Sequence, residues 1–311
     1  MTNQTLKDKK ILVTGAGGFI GNAVCRHLLH MGACVYGLGR SQTATVVEGT
    51  EYSAVDLTDA DSAKEVVACI KPDYVIHMAG CSVARREPEW ISVTFAANLL
   101  TTVNLLLACE AHSVNKTIIA GSLEQPAASN DVAIPTSPYA ASKWAATGYA
   151  RMFHSLYGTR SVTARIFMVY GPGQTELQKL VPYVCLSTIA GRNPELMSGT
   201  REVDWIYVED VAHGLVTLLN KGPDDGSLVD IGTGRLVTTG DIAHMICQNA
   251  GDTVQPEIGV VADRKLETEC KADVALTREM TGWSPRTIVE DGLRQTLEWY
   301  QTECSEGRIE P

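Results

Sequence analysis

Short apolar runs alternate along the first half of the chain with stretches in which apolar residues recur every three to four positions. Ile11-Leu12-Val13 ends at glycines, and Phe19, Ile20, Val24, Leu28 and Leu29 follow at helical spacing. Runs at 33–38, 74–78, 116–120 and 162–169 read as further strands, with helical patterns over 62–70 and 98–111 between them. Strands alternating with helices over the first 170 residues predict an α/β fold with a doubly wound parallel sheet. Ligands on such sheets bind at the carboxyl ends of the strands, so the chemistry is expected there. Beyond Tyr170 the pattern loosens, with a strand at 204–208 and helices at 241–250 and 289–300. The expected organisation is a dinucleotide-binding domain over 1–170, to which segments at about 204–235 return, and a smaller C-terminal substrate-binding lobe over 171–311.

Composition narrows the function classes. Of 311 residues, 45% are hydrophobic and 20% charged, the balance of a globular protein rather than a disordered one. Lys and Arg number 26 against 36 Asp and Glu, a net charge of −10 that gives no electrostatic reason to expect nucleic acid as a partner. The nine cysteines are scattered, with no C-x-x-C pair, so free thiols in a reducing cytoplasm are expected, and no metal site. The first ten residues are polar, without the apolar stretch of a signal peptide. No run approaches the length of a membrane span, so no membrane partner is expected and the localisation read from the chain is cytoplasmic.

Thr14-Gly15-Ala16-Gly17-Gly18-Phe19-Ile20-Gly21 lies between the first strand and the first helix. Glycines at 15, 18 and 21 let the backbone approach a pyrophosphate, and the helix that starts near Phe19 and Ile20 offers unpaired N–H groups and a partial positive charge. The spacing is G-x-x-G-x-x-G rather than the commoner G-x-G-x-x-G, and its strand–loop–helix context makes it a dinucleotide site. At the end of the second strand an acidic residue would serve the ribose 2′-OH of NAD, whereas Arg suits a 2′-phosphate. The chain has Gly39-Arg40-Ser41 there and no acid, so NADP(H) is expected in preference to NAD(H). Asp56 and Leu57, after a third strand, are placed to flank the adenine.

Ser137-Pro138-Tyr139-Ala140-Ala141-Ser142-Lys143 opens a helix, with Ser137 as N-cap and Pro138 in the first turn. Tyr139 and Lys143 are four apart and share one face. A phenol has a pKa near 10, and a neighbouring ammonium lowers it towards a usable acid/base. Taken alone, Y-x-x-x-K is two ordinary helix residues. Together with the glycine loop, Asp56-Leu57, His77-Met78-Ala79-Gly80 and Asn98, it resembles the extended short-chain dehydrogenase/reductase family of nucleotide-sugar epimerases, dehydratases and ketoreductases. The resemblance continues through 165–173, 204–211 and 282–285, nearly the whole chain. It implies a Rossmann-type sheet, with Ala79 and Asn98 beside the cofactor. It further implies that the Ser122 hydroxyl holds the reacting substrate oxygen, that Tyr139 passes a proton to or from it, and that Lys143 holds the nicotinamide ribose.

Three departures bear on the substrate. Sugar 4,6-dehydratases resembling this chain follow the catalytic Ser or Thr with an acid and then Glu, whereas here Leu123 precedes Glu124; Glu124 remains as a base or an exposed carboxylate. Met168 stands where the family carries Asn, and Val203 where it carries Arg next to Asp204; Arg201 and Arg264 are candidate replacements for diphosphate binding. The loop from Cys81 to Trp90 is expected over the substrate, with Ser82 as a contact and Arg85 and Arg86 as weaker candidates. The leading expectation is therefore an NADPH-dependent 4-ketoreductase of a nucleotide-activated keto-deoxy sugar. An epimerase or 4,6-dehydratase that recycles its cofactor internally is the alternative. A non-catalytic dinucleotide-sensing regulator is a reading of another class, against which the retention of Ser122, Tyr139 and Lys143 together argues. The helix after Asn98 is rich in leucine (99, 100, 105, 106, 107), which suits either a core helix or the interface of a homodimer.

Overall fold

In the computed structural model, residues 6–126, 134–262 and 270–311 are described. They divide into two units. The first comprises 1–166, 212–231 and 275–284, and the second 167–211, 232–274 and 285–311.

The first unit is built on seven parallel strands in the order β3-β2-β1-β4-β5-β6-β9. These are β1 (Lys10–Thr14), β2 (Cys34–Gly39), β3 (Glu51–Ala54), β4 (Tyr74–His77), β5 (Lys116–Ser122), β6 (Ser161–Ile166) and β9 (Asp225–Ile231). Order reverses between β1 and β4, which pair through Ile11↔Tyr74 to Thr14↔His77. The sheet is Rossmann-like and flanked by helices, as the alternating pattern predicts. β5 is buried along its whole length, which is why it reads as an apolar run rather than an alternating one.

Helix α1 (Phe19–His30) follows β1, and α2 (Ala60–Ile70) follows β3, capped by the Asp59 carboxylate accepting the Ser62 N–H. Leu12, Leu38, Leu57, Val67, Val75 and Leu105 form one core cluster. Leu106, Ile119, Ala150 and Phe153 form another, joining β5 to α4 (Thr101–Ala111) and α5 (Pro138–Tyr157). Full burial of each such side chain contributes roughly 1.5–3 kcal/mol. α5 begins at Ser137, whose Oγ accepts the Ala140 N–H at 3.1 Å, and ends at Gly158 with φ +71°.

Helical structure begins earlier than the expected residue 98. α3 (Glu89–Thr94) leads through a π-helical turn (Phe95–Leu100) into α4, a continuous 23-residue stretch in which 18 consecutive residues reach a mean hydropathy of 1.7. By length and composition it could cross a membrane, which corrects the expectation that no run approaches that length. Part of its apolar surface, including Leu105 and Leu106, packs within the first unit, whereas Ile91, Val93, Phe95 and Leu107 are exposed, and polar Asn98, Thr102 and Asn104 are buried in it.

The second unit carries a three-stranded sheet in the order β10-β8-β7: β7 (Met168–Tyr170), β8 (Glu202–Tyr207) and β10 (Leu236–Thr238). The strand expected at 162–169 is thus two, β6 and β7. The segment expected to return to the first domain from about 204 does so from Ala212, because β8 pairs with β7 and β10. Tyr170 packs edge-on against Trp205 and Tyr207, and Ile242, Ile246, Leu293 and Tyr300 complete this core. Asp204, fully buried, accepts from the N–H groups of Thr233, Gly234 and Ala272 and from the Thr233 hydroxyl, tying two loops to β8.

Candidate active site

The reversal of strand order at β1/β4 places the carboxyl ends of β1, β2, β4 and β5 along one edge of the first unit, where ligands bind sheets of this type. The glycine loop leaves β1 at Thr14. Gly15 adopts φ +69°, and a Cβ there would lie 2.8 Å from the Ala79 backbone nitrogen. A Cβ on Gly21 would collide with the Gly15 carbonyl oxygen. Gly18 is the N-cap of α1 and provides no side-chain partner, and the first turn, with Phe19 and Ile20 half-buried, holds no acidic residue. Unpaired N–H groups at this helix start, beside a loop in which Gly15 and Gly21 leave no room for a Cβ, form a cradle suited to a pyrophosphate.

At the end of β2, Arg40 is exposed. The loop after it folds back on the glycine loop. Tyr52 donates its hydroxyl to the Ser41 carbonyl at 2.8 Å, and Asn22 donates Nδ2 to the Thr45 carbonyl at 3.1 Å. Asp56 is exposed, accepting from the Thr58 N–H and hydroxyl. Those bonds, with the Arg40 charge, hold its carboxyl below the usual range. Leu57 is placed differently from the expectation that it flanks a ligand: its side chain is buried in the core. Asn104 donates to the Leu57 and Thr58 carbonyls and so fixes this turn.

Ser122 ends β5 and is 7% exposed; its N–H donates to Gln125 Oε1 at 2.7 Å, and its Oγ accepts the Glu124 N–H at 3.2 Å. Gln125 also donates to Thr147 Oγ1 at 2.7 Å, joining the Ser122 turn to α5 one turn beyond Lys143. Lys143 reaches from α5 to donate Nζ to the Ala120 carbonyl at 2.9 Å. Burial pushes its ammonium down to about 8, partly offset by Cys81. Such an amine holds its charge at neutral pH yet can release a proton not far above it. Tyr139, half-buried, precedes Lys143 by one turn on the same face of α5.

A Cβ on Gly80 would meet Asn98 Oδ1 at 2.6 Å and Lys143 Nζ at 3.5 Å, so these groups converge at the end of β4. Asn98 is fully engaged within the protein. Its Oδ1 accepts the Cys81 N–H (2.7 Å), and its Nδ2 donates to the Cys81 carbonyl (3.2 Å) and to Ser142 Oγ (2.9 Å). It therefore clamps the β4 loop to the Tyr139 helix rather than standing open to a ligand. Ala79, at the same strand end, donates its N–H to Thr14 Oγ1.

The remaining candidates are more dispersed. Ser82 is exposed, and Arg85 lies over the Trp90 ring at 5.6 Å. Glu124 is half-buried. Leu123 packs inside, 6% exposed, with its N–H on the Ile166 carbonyl. Met168 and Arg201 belong to the second unit, Met168 against its core and Arg201 one residue before β8. Arg201 thus lies just outside the strand that carries Val203 and Asp204. Arg264 lies outside the described residues. Sequence reading passed over Gln125, Asn104 and Thr102. Each is a polar residue buried in an apolar setting, the one signal that could have marked it.

The family model of the NAD dependent epimerase/dehydratase family matches residues 11–232. The chain belongs to this family. Within it, the pattern of the glycine loop, Tyr139 and Lys143 is that of the extended short-chain dehydrogenases/reductases, and the protein is an enzyme of that type. It is 29% identical over 335 residues to dTDP-glucose 4,6-dehydratase 1 of Escherichia coli K12, covering 94% of this chain and 92% of that one. Among solved structures it is similar to UDP-glucose 4-epimerase of Thermus thermophilus in complex with NAD (TM-score 0.83, 27% identity, 94% and 99% covered). The UDP-glucose 4-epimerase of Thermotoga maritima shares its fold at a TM-score of 0.87, with 23% identity over 95% and 99% of the two chains.

Proposed function

We propose that this member of the epimerase/dehydratase family is an NADP(H)-dependent reductase of a nucleotide-activated keto-deoxy sugar, acting at C4. Leu123 weighs against dehydration, and Arg40, suited to a 2′-phosphate, favours net reduction with NADPH. The position beside Ser122 that would hold an acid for dehydration holds a packed aliphatic side chain, which cannot protonate a leaving hydroxyl. Gly15, Gly18 and Gly21, with the N–H groups at Phe19 and Ile20, would hold the pyrophosphate, and Arg40 a 2′-phosphate beside Asp56. Bound there, the dinucleotide would supply hydride to the substrate carbon. Ser122 Oγ, which already accepts the Glu124 N–H, would turn its hydrogen to the substrate carbonyl oxygen. Tyr139 would protonate that oxygen as it is reduced, with Lys143 placed to hold the nicotinamide ribose and stabilise the phenolate left behind. Glu124 and Ser82 are the first unit's candidates for contacts to the substrate.

The test is NADPH oxidation with a panel of nucleotide-linked 4-keto sugars. Arg40→Asp is expected to raise the KM for NADPH roughly 10- to 100-fold, the loss of a charge-assisted contact worth about 1.5–3 kcal/mol, while NADH is spared. No consumption of NADPH with any such sugar would overturn the reading.

Epimerisation with an internally recycled cofactor is the second reading. It needs no acid at position 123, and the Thermus relative is a 4-epimerase with NAD. It predicts cofactor carried through purification without net turnover.

We further propose a homodimer formed through the α3–α4 stretch and α5. Phe95, Leu107 and Trp144 are 53%, 50% and 42% exposed there. Leu107→Lys with Trp144→Lys is expected to weaken association at least tenfold in sedimentation, since each lost apolar burial is worth about 1.5–3 kcal/mol. A wild-type protein that sediments as a monomer at micromolar concentration would remove the proposal.

A further inference from the structure

Between the glycine loop and the Tyr139 helix, hydrogen bonds that meet at Asn98, through its backbone carbonyl on one side and its side-chain amide on the other, run through a histidine for which the reaction proposed above has no use. The Ala79 N–H donates to Thr14 Oγ1 at 3.0 Å, and Thr14 Oγ1 lies 2.7 Å from His77 Nδ1. On the far side of the ring, His77 Nε2 lies 3.1 Å from Thr102 Oγ1, whose hydroxyl donates to the Asn98 carbonyl at 2.6 Å. The Asn98 side chain donates to Ser142 Oγ, and Ser142 donates to the Tyr139 carbonyl at 2.8 Å. Thr14, His77, Asn98 and Thr102 are each no more than 2% exposed.

The hydrogens in this chain have one consistent arrangement. A carbonyl only accepts, so the single hydroxyl hydrogen of Thr102 goes to Asn98. Nε2 must then carry a hydrogen, or two lone pairs would face each other. Thr14 already accepts from Ala79 and turns its own hydrogen to Nδ1, which must be bare. A ring protonated at both nitrogens would displace that hydrogen into a buried space, and burial, together with the charge of Lys143, pushes the His77 pKa down to about 3.

We propose that His77 is a positioning residue: as a neutral imidazole protonated at Nε2, it sets the register between the dinucleotide-binding loop and the helix that carries Tyr139 and Lys143. Its two faces divide the labour. The Nδ1 side acts on Thr14 and the Ala79 N–H, next to the cradle, and the Nε2 side acts through Thr102 and Asn98 on Ser142 and Tyr139. The kinetic part rests on the assignment of Tyr139 and Lys143 above; the tautomer does not.

The experiment has two readouts. In nitrogen-15 NMR of the ligand-free protein, His77 is expected as the Nε2-protonated neutral ring, unchanged from about pH 7.5 to about pH 5.5. A ring protonated at Nδ1, or one that titrates across that range, overturns the proposal whatever the substrate proves to be. In kinetics, Thr102→Val removes the hydroxyl and keeps the shape, and His77→Asn keeps reach to Thr14 and loses it to Thr102. Each is expected to lower kcat roughly 10- to 100-fold, with NADPH affinity, measured by fluorescence, within about twofold. The double variant is expected to be no worse than either single one, since both break the same link. Additive losses, or equal damage to kcat and NADPH affinity, would show that these residues support the fold and not the register.

Discussion

Tyr139→Phe is expected to lower kcat by about 10²- to 10⁴-fold, the span of a lost general acid, while cofactor affinity and melting temperature stay close to wild type. In energy this is roughly 3–5 kcal/mol of transition-state stabilisation. The substitution removes one oxygen. The N-cap of α5 is made by Ser137 Oγ and the Ala140 N–H, and the contact from Ser142 goes to the Tyr139 carbonyl, so neither helix start nor helix register depends on the phenol. Lys143 keeps its bond to the Ala120 carbonyl for the same reason. Single-turnover kinetics at saturating cofactor read the loss directly. A variant that turns over within a few-fold of wild type would mean that another group moves the proton, and Glu124 would be the next residue to change.

Stability is expected to fall steeply with acid, and His77 is the largest single cause. Its pKa is about 3 in the folded protein against 6.5 for the free side chain, a difference of about 3.5 units. Between those values the unfolded chain binds a proton that the folded chain refuses, so stability rises with pH across the window and is lost as pH falls through it. At 1.36 kcal/mol per unit the whole window is worth at most roughly 4–5 kcal/mol, a large part of a typical 5–15 kcal/mol total. Asp56 and Asp59 also destabilise on acidification, because hydrogen bonds hold their carboxyls below the usual range, but they act below about pH 4. The interval from about pH 6.5 to about pH 4.5 isolates the histidine. There, urea unfolding is expected to show wild type losing about 2–3 kcal/mol more than His77→Asn. Parallel slopes for the two proteins would refute the buried, neutral assignment.

Both expectations draw on features that differ in how far the chain alone reveals them. The residues of the glycine loop lie within a few positions of one another, as do the Ser137-Pro138 start of α5 and the Tyr139/Lys143 pair. Cap chemistry, helical periodicity and the steric needs of a phosphate-binding turn make them readable from spacing. The alternation of strands and helices likewise identifies a doubly wound sheet, because period-two and period-3.6 burial leave different traces. The departure at Leu123 is also plain in the chain, and the structure adds that its side chain is buried.

Other features depend on partners that no local pattern connects. Thr14 and His77 are 63 positions apart, and only the pairing of β1 with β4 brings them together. Asn98 meets Ser142 across 44 positions, through a π-helical turn that apolar periodicity read as the plain start of a helix. Leu57, which looks placed beside a ligand, is drawn into the core with Leu12 and Leu38 once the strands associate. The edge of the second unit also differs from the expected boundary, because β8 finds its partners in β7 and β10. What the sequence by itself determined is the fold class, the glycine loop that opens α1 and the placing of Tyr139 and Lys143 on one helix face, since each is set by short-range sterics and hydrogen bonding. Only the tertiary structure decided which polar side chains are buried, and therefore which must pair across the sheet and hold that pair in place.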